Sequence, residues 1–231
     1  MASAQETYRA EFRSHVLALE PRSILEVGCG AGTFLRSLSG WTGRLVGVDI
    51  DEGLVAQLKE QGFNVRRGPA EQLSFDDAEF DVVVSSYTAH HLPDWPAALR
   101  EALRVARRAV CILDAWYDES IPSHRVAADF DRWSKEIDRI GGMIHNECLS
   151  LGALLSPIKG VPGYEINALQ RALVADADLV DFEQRGADQL RAVNNAPDFT
   201  RRYETISADA RRDGIAHDGA VMVTIKRAAA R

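Results

Sequence analysis

The first half of the chain alternates between short apolar runs and stretches in which apolar residues recur at helical spacing. The apolar runs predict strands, because the strands of a parallel sheet are buried on both faces. They cover residues 23–27, 45–48, 64–66, 81–85 and 109–113. The helical stretches lie before and between them, at residues 7–19, 33–38, 53–61 and 97–106. This alternation predicts an α/β domain with a mostly parallel sheet.

The pattern changes after Asp114. Residues 116–160 favour helix but are rich in Trp, His and Gly and are longer than a plain crossover, which predicts a helical substrate cap. We expect a last packing helix over residues 164–175 and strands over residues 179–185 and 220–226. The two strands would form an antiparallel pair that closes the sheet, with an excursion over residues 186–219 between them.

Three alternate glycines, Gly28, Gly30 and Gly32, follow the first predicted strand and lead into a helical stretch. Glycine permits a sharp turn and a close approach of the backbone to a ligand. The spacing is G-x-G-x-G, whereas dinucleotide-dependent enzymes use G-x-G-x-x-G. Asp49 ends the second strand, where its carboxylate can bind both hydroxyls of a ribose, and Ile50 beside it can lie against a purine. The segment therefore predicts a nucleotide-type ligand at the carboxyl edge of the sheet.

Residues 25–32, Leu-Glu-Val-Gly-Cys-Gly-Ala-Gly, together with Asp49, resemble the first two motifs of the class I S-adenosylmethionine-dependent methyltransferases. Residues 68–75, residues 80–86 and the His-His-Leu-Pro-Asp of residues 90–94 resemble the small-molecule branch that includes the quinone C-methyltransferases. The resemblance implies a Rossmann-like, seven-stranded, mostly parallel sheet with an antiparallel last strand, and S-adenosyl-L-methionine as cofactor. The cofactor-binding residues that it implies are Glu26, Gly28, Gly30, Gly32, Asp49, Ile50, Ala70, Glu71 and Ser85.

The chain departs from this family at Pro69, where members usually carry an acidic residue that meets the adenine amino group. Glu71 could replace that carboxylate. The backbone N–H of Ala70 stays available for adenine, because only Pro69 itself lacks a donor.

Composition narrows the class of protein. The 231 residues are 46% hydrophobic and suit one α/β domain, divided into an N-terminal helix or lid (1–20), a cofactor-binding core (21–115), the cap (116–160) and a C-terminal part (161–231). A net charge of −7 argues against nucleic acid as a partner. The three cysteines form no C-x-x-C pair, so we expect neither a disulfide framework nor a metal site. We also expect a cytoplasmic monomer or homodimer without a membrane segment.

The candidates for a catalytic acid or base lie where the loops and the cap would meet the cofactor. His90 belongs to the loop after the fourth strand, where it could serve as a base or shape the loop, and Asp114 could steer a base or cap a turn. In the cap, His124 could accept a proton while Arg125 holds an anionic oxygen, or both could be surface residues. We rank His124 ahead of His90, since it has no evident structural duty. His145 is a further possibility in the cap.

These features predict an S-adenosylmethionine-dependent methyltransferase that acts on oxygen, nitrogen or carbon of a small, aromatic or apolar metabolite. Two alternatives stay open: a catalytically silent cofactor-binding subunit, and a protein or nucleic-acid methyltransferase. The second alternative is disfavoured because Ser85, Ser86 and Tyr87 stand where such enzymes carry an Asn/Asp-Pro-Pro-aromatic motif.

Overall fold

The computed structural model describes residues 4–172 and 177–228. Its seven strands form one sheet in the order β3-β2-β1-β4-β5-β7-β6, mostly parallel with antiparallel last strands. The strands are β1 (Ser23–Val27), β2 (Arg44–Asp49), β3 (Val65–Arg67), β4 (Phe80–Ser86), β5 (Ala106–Trp116), β6 (Tyr164–Arg171) and β7 (Gly219–Arg227). The helices are α1 (Ala4–Leu17), α2 (Thr33–Ser37), α3 (Glu52–Glu60), α4 (Trp95–Val105), α5 (Pro122–Ile140), α6 (Leu151–Leu154), α7 (Leu179–Ala192) and α8 (Pro197–Asp213). The predicted α/β class is confirmed.

Strand β1 lies inside the sheet, where it pairs in parallel with β2 on one side and β4 on the other. Leu25 faces Val46 in β2 and Val83 in β4, and all five residues of β1 are buried. The strand order reverses between β1 and β4, and such a switch point opens a crevice at the carboxyl ends of the strands. The loops after β1 and β4 are therefore placed to bind a ligand.

The chain forms two compact units. We call the first the sheet unit; its described residues are 6–114, 149–169 and 221–228. The second, the helical unit, comprises the described residues 4–5, 115–148, 170–172 and 177–220. The division into lid, core, cap and C-terminal part that the sequence predicts is a separate proposal and does not coincide with these two units.

An apolar core holds the helical unit together where α5, α7 and α8 pack on one another. The rings of Phe130, Trp133, Phe182 and Tyr203 lie within 4.7–5.8 Å of a neighbour. Trp133 is 1% exposed, and its indole N–H donates to the carbonyl of Phe199. Phe130 and Trp133 thus stabilise the packing of this unit.

Two predicted elements are wrong. Residues 164–171 form the strand β6 where a helix was expected over 164–175, and residues 173–176 of that segment lie outside the described residues. Residues 179–185 belong to helix α7 where a strand was expected, so β6 and β7 close the sheet. Helix α7 buries Phe182 and Gly186, one turn apart, whereas β6 is exposed along nearly its whole length. A strand without a buried face has no apolar alternation to reveal it.

The predicted helix at residues 7–19 is α1, with Tyr8, Phe12 and Val16 at most 1% exposed. The expected cap region contains α5 and the short α6, and the excursion over residues 186–219 contains the end of α7 and all of α8. Among the described residues, no helix is both long and apolar enough to span a membrane.

Candidate active site

The glycine turn after β1 is held in a left-handed conformation. Gly28, Gly30 and Gly32 have φ values of 71°, 50° and 79°, a backbone conformation that residues other than glycine rarely adopt. A Cβ on Gly28 would lie 2.1 Å from Cγ2 of Thr88, whose hydroxyl donates to the carbonyl of Gly28 at 3.0 Å. A Cβ on Gly30 would meet no atom of the described residues within 4 Å, its two chain neighbours aside. The turn is therefore closed on the Thr88 side and open above Gly30, where a ligand can approach the backbone.

Asp49 ties the end of β2 to this turn. Its two carboxylate oxygens accept hydrogen bonds from the backbone N–H groups of Gly30 at 2.6 Å and Asp51 at 2.9 Å. The carboxylate is half-buried, and the next side chain, Ile50, is 61% exposed. A fixed carboxylate beside an exposed apolar side chain suits a ribose diol and the purine attached to it.

Glu26 lies inside the sheet one strand away and is 2% exposed. Burial raises its pKa well above the ordinary value; a backbone hydrogen bond at Leu35 opposes this rise, and the charge of Asp49 adds to it. Within the described part of the chain its Oε2 has no hydrogen-bond partner. A buried oxygen without a partner is costly, so Glu26 fits a site that receives a donor or a cation from a ligand.

Ser85 near the end of β4 is also buried, and its Oγ finds no partner among the described residues. Glu26 stands opposite Val84 in the register of β1 and β4. Because successive side chains of a strand alternate in direction, Ser85 faces the other side of the sheet from Glu26. Oε2 of Glu26 and Oγ of Ser85, the two oxygens without a partner among the described residues, therefore do not form a single binding subsite.

The loop after β3 carries Ala70 and Glu71, which the sequence predicts to contact adenine. Ala70 is 6% exposed, and its N–H donates no hydrogen bond within the described residues, so the donor is left for a ligand. Glu71 already accepts a hydrogen bond through Oε1 from the backbone N–H of Asp94, the residue that caps α4, at 3.3 Å. Glu71 therefore holds the start of α4, and its carboxylate is shared with that contact.

A buried histidine–aspartate pair lies at the carboxyl ends of β4 and β5. Nδ1 of His90 is 2.5 Å from Oδ1 of Asp114, and the two residues are 6% and 1% exposed. A carboxylate only accepts, so Nδ1 carries the proton of this bond and Nε2 is the nitrogen that can take a proton. The structure thus joins two residues that the sequence singled out separately.

The structure places His124 and Arg125 in the first turn of α5, within the helical unit. His124 is 0% exposed, and neither ring nitrogen has a partner in the described part of the chain. Burial lowers the pKa of His124, while the charges of Asp118 and Asp218 oppose the shift. Arg125 is exposed, so the two neighbours lie in different surroundings. His145 is hydrogen bonded through Nδ1 to Asp138 at 2.7 Å.

Sequence reasoning missed Thr88, which closes the glycine turn. It lies two residues after β4 and is 6% exposed. Its contact with Gly28 joins positions 60 residues apart. Only the end of a strand next to the loop marks this position in the sequence, which is why no local pattern pointed to it.

Comparison with known proteins supports the reading of these motifs. Residues 25–112 match the family described as a methyltransferase domain. The chain is 36% identical over 92 residues to the uncharacterized methyltransferase YcgJ of Bacillus subtilis, which covers 37% of this chain and 36% of that protein. It is 33% identical over 133 residues to trans-aconitate 2-methyltransferase of Mycolicibacterium gilvum; the aligned residues are 52% of this chain and 49% of that protein. It is 35% identical over 106 residues to ubiquinone biosynthesis O-methyltransferase of Hahella chejuensis; the aligned residues are 43% of this chain and 44% of that protein.

The chain thus spans between about a third and a half of the length of these three relatives. The crystal structure of YcgJ from Bacillus subtilis superimposes with a TM-score of 0.64 and 17% identity, over 96% of this chain and all of that chain. At this identity the superposition shows the fold alone. Residues 25–112 match a methyltransferase domain, and the sheet order is that of the Rossmann-like fold of the class I S-adenosylmethionine-dependent methyltransferases.

Proposed function

We propose that the protein transfers a methyl group from S-adenosylmethionine to an oxygen, nitrogen or carbon atom of a small aromatic or apolar metabolite. The observation that carries the proposal is the buried His90–Asp114 pair at the same edge of the sheet as the glycine turn. Relatives named for trans-aconitate and for ubiquinone biosynthesis support a small acceptor. The net charge of −7 disfavours nucleic acid.

The residues around the turn would hold the cofactor. Asp49 would bind the ribose hydroxyls, Ile50 would cover one face of the purine, and the N–H of Ala70 would donate to the adenine ring. Glu26, with its orphaned oxygen, would face the ammonium group of the amino-acid end. When bound, S-adenosylmethionine supplies an electrophilic methyl group on a sulfonium centre. The protein's task is to align the acceptor with that methyl group and to exclude water.

Proton removal falls to His90. Asp114 fixes the ring orientation and favours the tautomer with Nε2 unprotonated, and it would stabilise the imidazolium that forms once the proton has moved. We place this step at His90 rather than His124, because a carboxylate orients the ring of His90, while His124 is fully buried and its ring nitrogens have no partner among the described residues. Ser85 and Arg125 stay further candidates for cofactor and acceptor contacts respectively.

The test compares single variants with any acceptor that the protein methylates. His90→Ala should lower turnover roughly 10²- to 10⁴-fold, the usual range for a positioned base, with the cofactor Kd nearly unchanged. Asp114→Asn should lower turnover in the same direction. His91→Ala, at the exposed neighbour, is the matched control and should keep most of the activity. If His124→Ala abolishes turnover while His90→Ala retains it, the base lies in the helical unit and our assignment is wrong.

The competing function is a cofactor-binding subunit without catalysis. The purified chain alone, incubated with labelled cofactor and fractionated cell extract, would then bind the cofactor but label no small molecule. Appearance of a metabolite heavier by one methyl group would support the transferase.

A further inference from the structure

A lysine, a cysteine and a carboxylate meet inside the helical unit, to which none of the residues assigned to the cofactor belongs. Lys135 on α5 is 2% exposed, and its Nζ lies 2.8 Å from Oδ2 of Asp131, one turn earlier on the helix. The same Nζ lies 3.0 Å from Sγ of Cys148, in the segment that follows α5. Sγ of Cys148 in turn lies 3.7 Å from Oδ2 of Asp131.

This arrangement is unusual because a lysine is almost never fully buried unless it is paired. Burial lowers the pKa of Lys135, but the neighbouring sulfur of Cys148 and the carboxylate of Asp131 together raise this pKa by more than burial lowers it. The net pKa is therefore raised, and the amine is held charged. A cation in contact with a thiol stabilises the thiolate, and the thiolate is the form that oxidants attack. Cys148 is partly exposed, so a small oxidant can reach it.

The other two cysteines lack this environment. Cys29 and Cys111 are buried, and burial raises the pKa of each thiol to about 12. Both thiols therefore stay protonated and unreactive. Cys148 differs from both, because its sulfur lies within hydrogen-bond distance of a lysine Nζ among the described residues.

We propose that Lys135 and Cys148 form an oxidative modification site in which peroxide links the two side chains through an oxygen atom. In the first step the thiolate of Cys148 attacks peroxide, the O–O bond breaks, and a sulfenate and one water form. In the second step a second peroxide oxidises the sulfenate–ammonium pair: an N–O bond forms, the ammonium loses two protons, and two waters leave. Each peroxide accepts two electrons, and the product is a neutral S–O–N bridge that thiols can reduce.

Asp131 positions the amine for this reaction. Its contact with Lys135 keeps Nζ next to the sulfur, which favours capture of the sulfenate oxygen by nitrogen over further oxidation at sulfur. The bridge would tie the segment around Cys148 to α5 and would remove the positive charge that compensates Asp131.

Intact-mass measurement and peptide mapping of the full chain, after treatment with hydrogen peroxide and without reductant, test the proposal. We expect a product heavier by one oxygen and lighter by two hydrogens, a linked peptide pair containing Lys135 and Cys148, and its loss on addition of a thiol reductant. Cys148→Ser should abolish this product. Lys135→Arg keeps the charge beside Asp131 but offers no amine, so it should gain oxygen atoms only.

Cys29→Ser and Cys111→Ser are the matched controls and should form the bridge as the wild type does. A product that carries only added oxygen in the wild type, or a link that survives Cys148→Ser, would overturn the proposal. Thermal unfolding supplies a second readout: a covalent link should raise the Tm of the oxidised wild type but not of oxidised Lys135→Arg. If either variant misfolds, the wild-type peptide map alone still decides between bridge and simple sulfur oxidation.

Discussion

At the scale of single residues, three side chains have surroundings that are unusual for their chemistry. Asp49 is held by two backbone donors, Glu26 is buried with an unpartnered oxygen, and His124 is buried with neither ring nitrogen bonded within the described residues. Each of these states has an energetic cost or gain that a single substitution can expose.

Replacement of Asp49 by alanine should weaken S-adenosylmethionine binding by about 2–4 kcal/mol, because hydrogen bonds to charged groups contribute roughly 1.5–3 kcal/mol each and do not add fully. Isothermal calorimetry with the cofactor and its demethylated product measures the change. Asp51→Ala is the control: it removes the N-cap of α3, which accepts from Leu54 N–H, and should cost stability more than affinity. Unchanged affinity in Asp49→Ala would refute the ribose assignment.

His124 should make the fold sensitive to acid. Its folded-state pKa lies below the ordinary value of about 6.5 because burial disfavours the charged ring, so the unfolded chain binds the extra proton first. The neutral ring therefore contributes fully to the free energy of unfolding above the ordinary pKa. This contribution falls as the pH decreases from the ordinary pKa toward the folded-state pKa, with a slope of up to about 1.4 kcal/mol per pH unit. Urea denaturation measures the free energy of unfolding at each pH. Between about pH 7 and pH 5, this free energy should decrease less for His124→Leu than for wild type.

At the scale of elements, the glycine turn is shaped by the strand ends around it. Gly28 meets Thr88 from the end of β4, and Asp49 at the end of β2 reaches the N–H of Gly30. The turn is therefore a joint product of three strands.

Gly28→Ala should disrupt the turn. The new Cβ would lie 2.1 Å from the Thr88 methyl group, and alanine at a φ of 71° also costs about 1–2 kcal/mol of backbone strain. We expect loss of measurable cofactor binding by calorimetry, with partial recovery when Thr88→Ser removes the clashing methyl group. Gly62→Ala is the control, because its φ is 87° but no described residue beyond its chain neighbours has an atom within 4 Å of the new Cβ; it should lose stability and keep affinity. Normal binding by Gly28→Ala would show that the turn can relax.

At the scale of the molecule, the cofactor residues and the aromatic core belong to different compact units. Damage to the core of the helical unit should then lower stability without changing the chemistry of the glycine turn.

Gly186→Ala provides that test, since its Cβ would lie 2.1 Å from the ring of Tyr203 inside the helical unit. Overpacking of this kind costs typically 1–3 kcal/mol, so we expect a lower Tm together with a wild-type Kd for S-adenosylmethionine. Thermal unfolding with and without cofactor measures both, because saturating ligand at about 100 times Kd should restore roughly 2.7 kcal/mol. A large rise in Kd would indicate that the two units are energetically coupled.

The sequence by itself determined the features that local backbone chemistry dictates. Strands β1 to β5, the glycine turn and Asp49 could be predicted because buried strands must be apolar and because only glycine tolerates the left-handed turn. The family resemblance rested on the same residues, and the class I fold is confirmed.

Only the tertiary structure decided the contacts between distant residues. The pairing of His90 with Asp114 and the burial of Lys135 beside Cys148 depend on which strand and segment ends meet in space. The exchange of strand and helix between residues 164–171 and 179–185 has the same origin, since the apolar residues of α7 are explained by its packing on α5 and α8. Local patterns specify what a segment can form, and long-range packing selects among those possibilities.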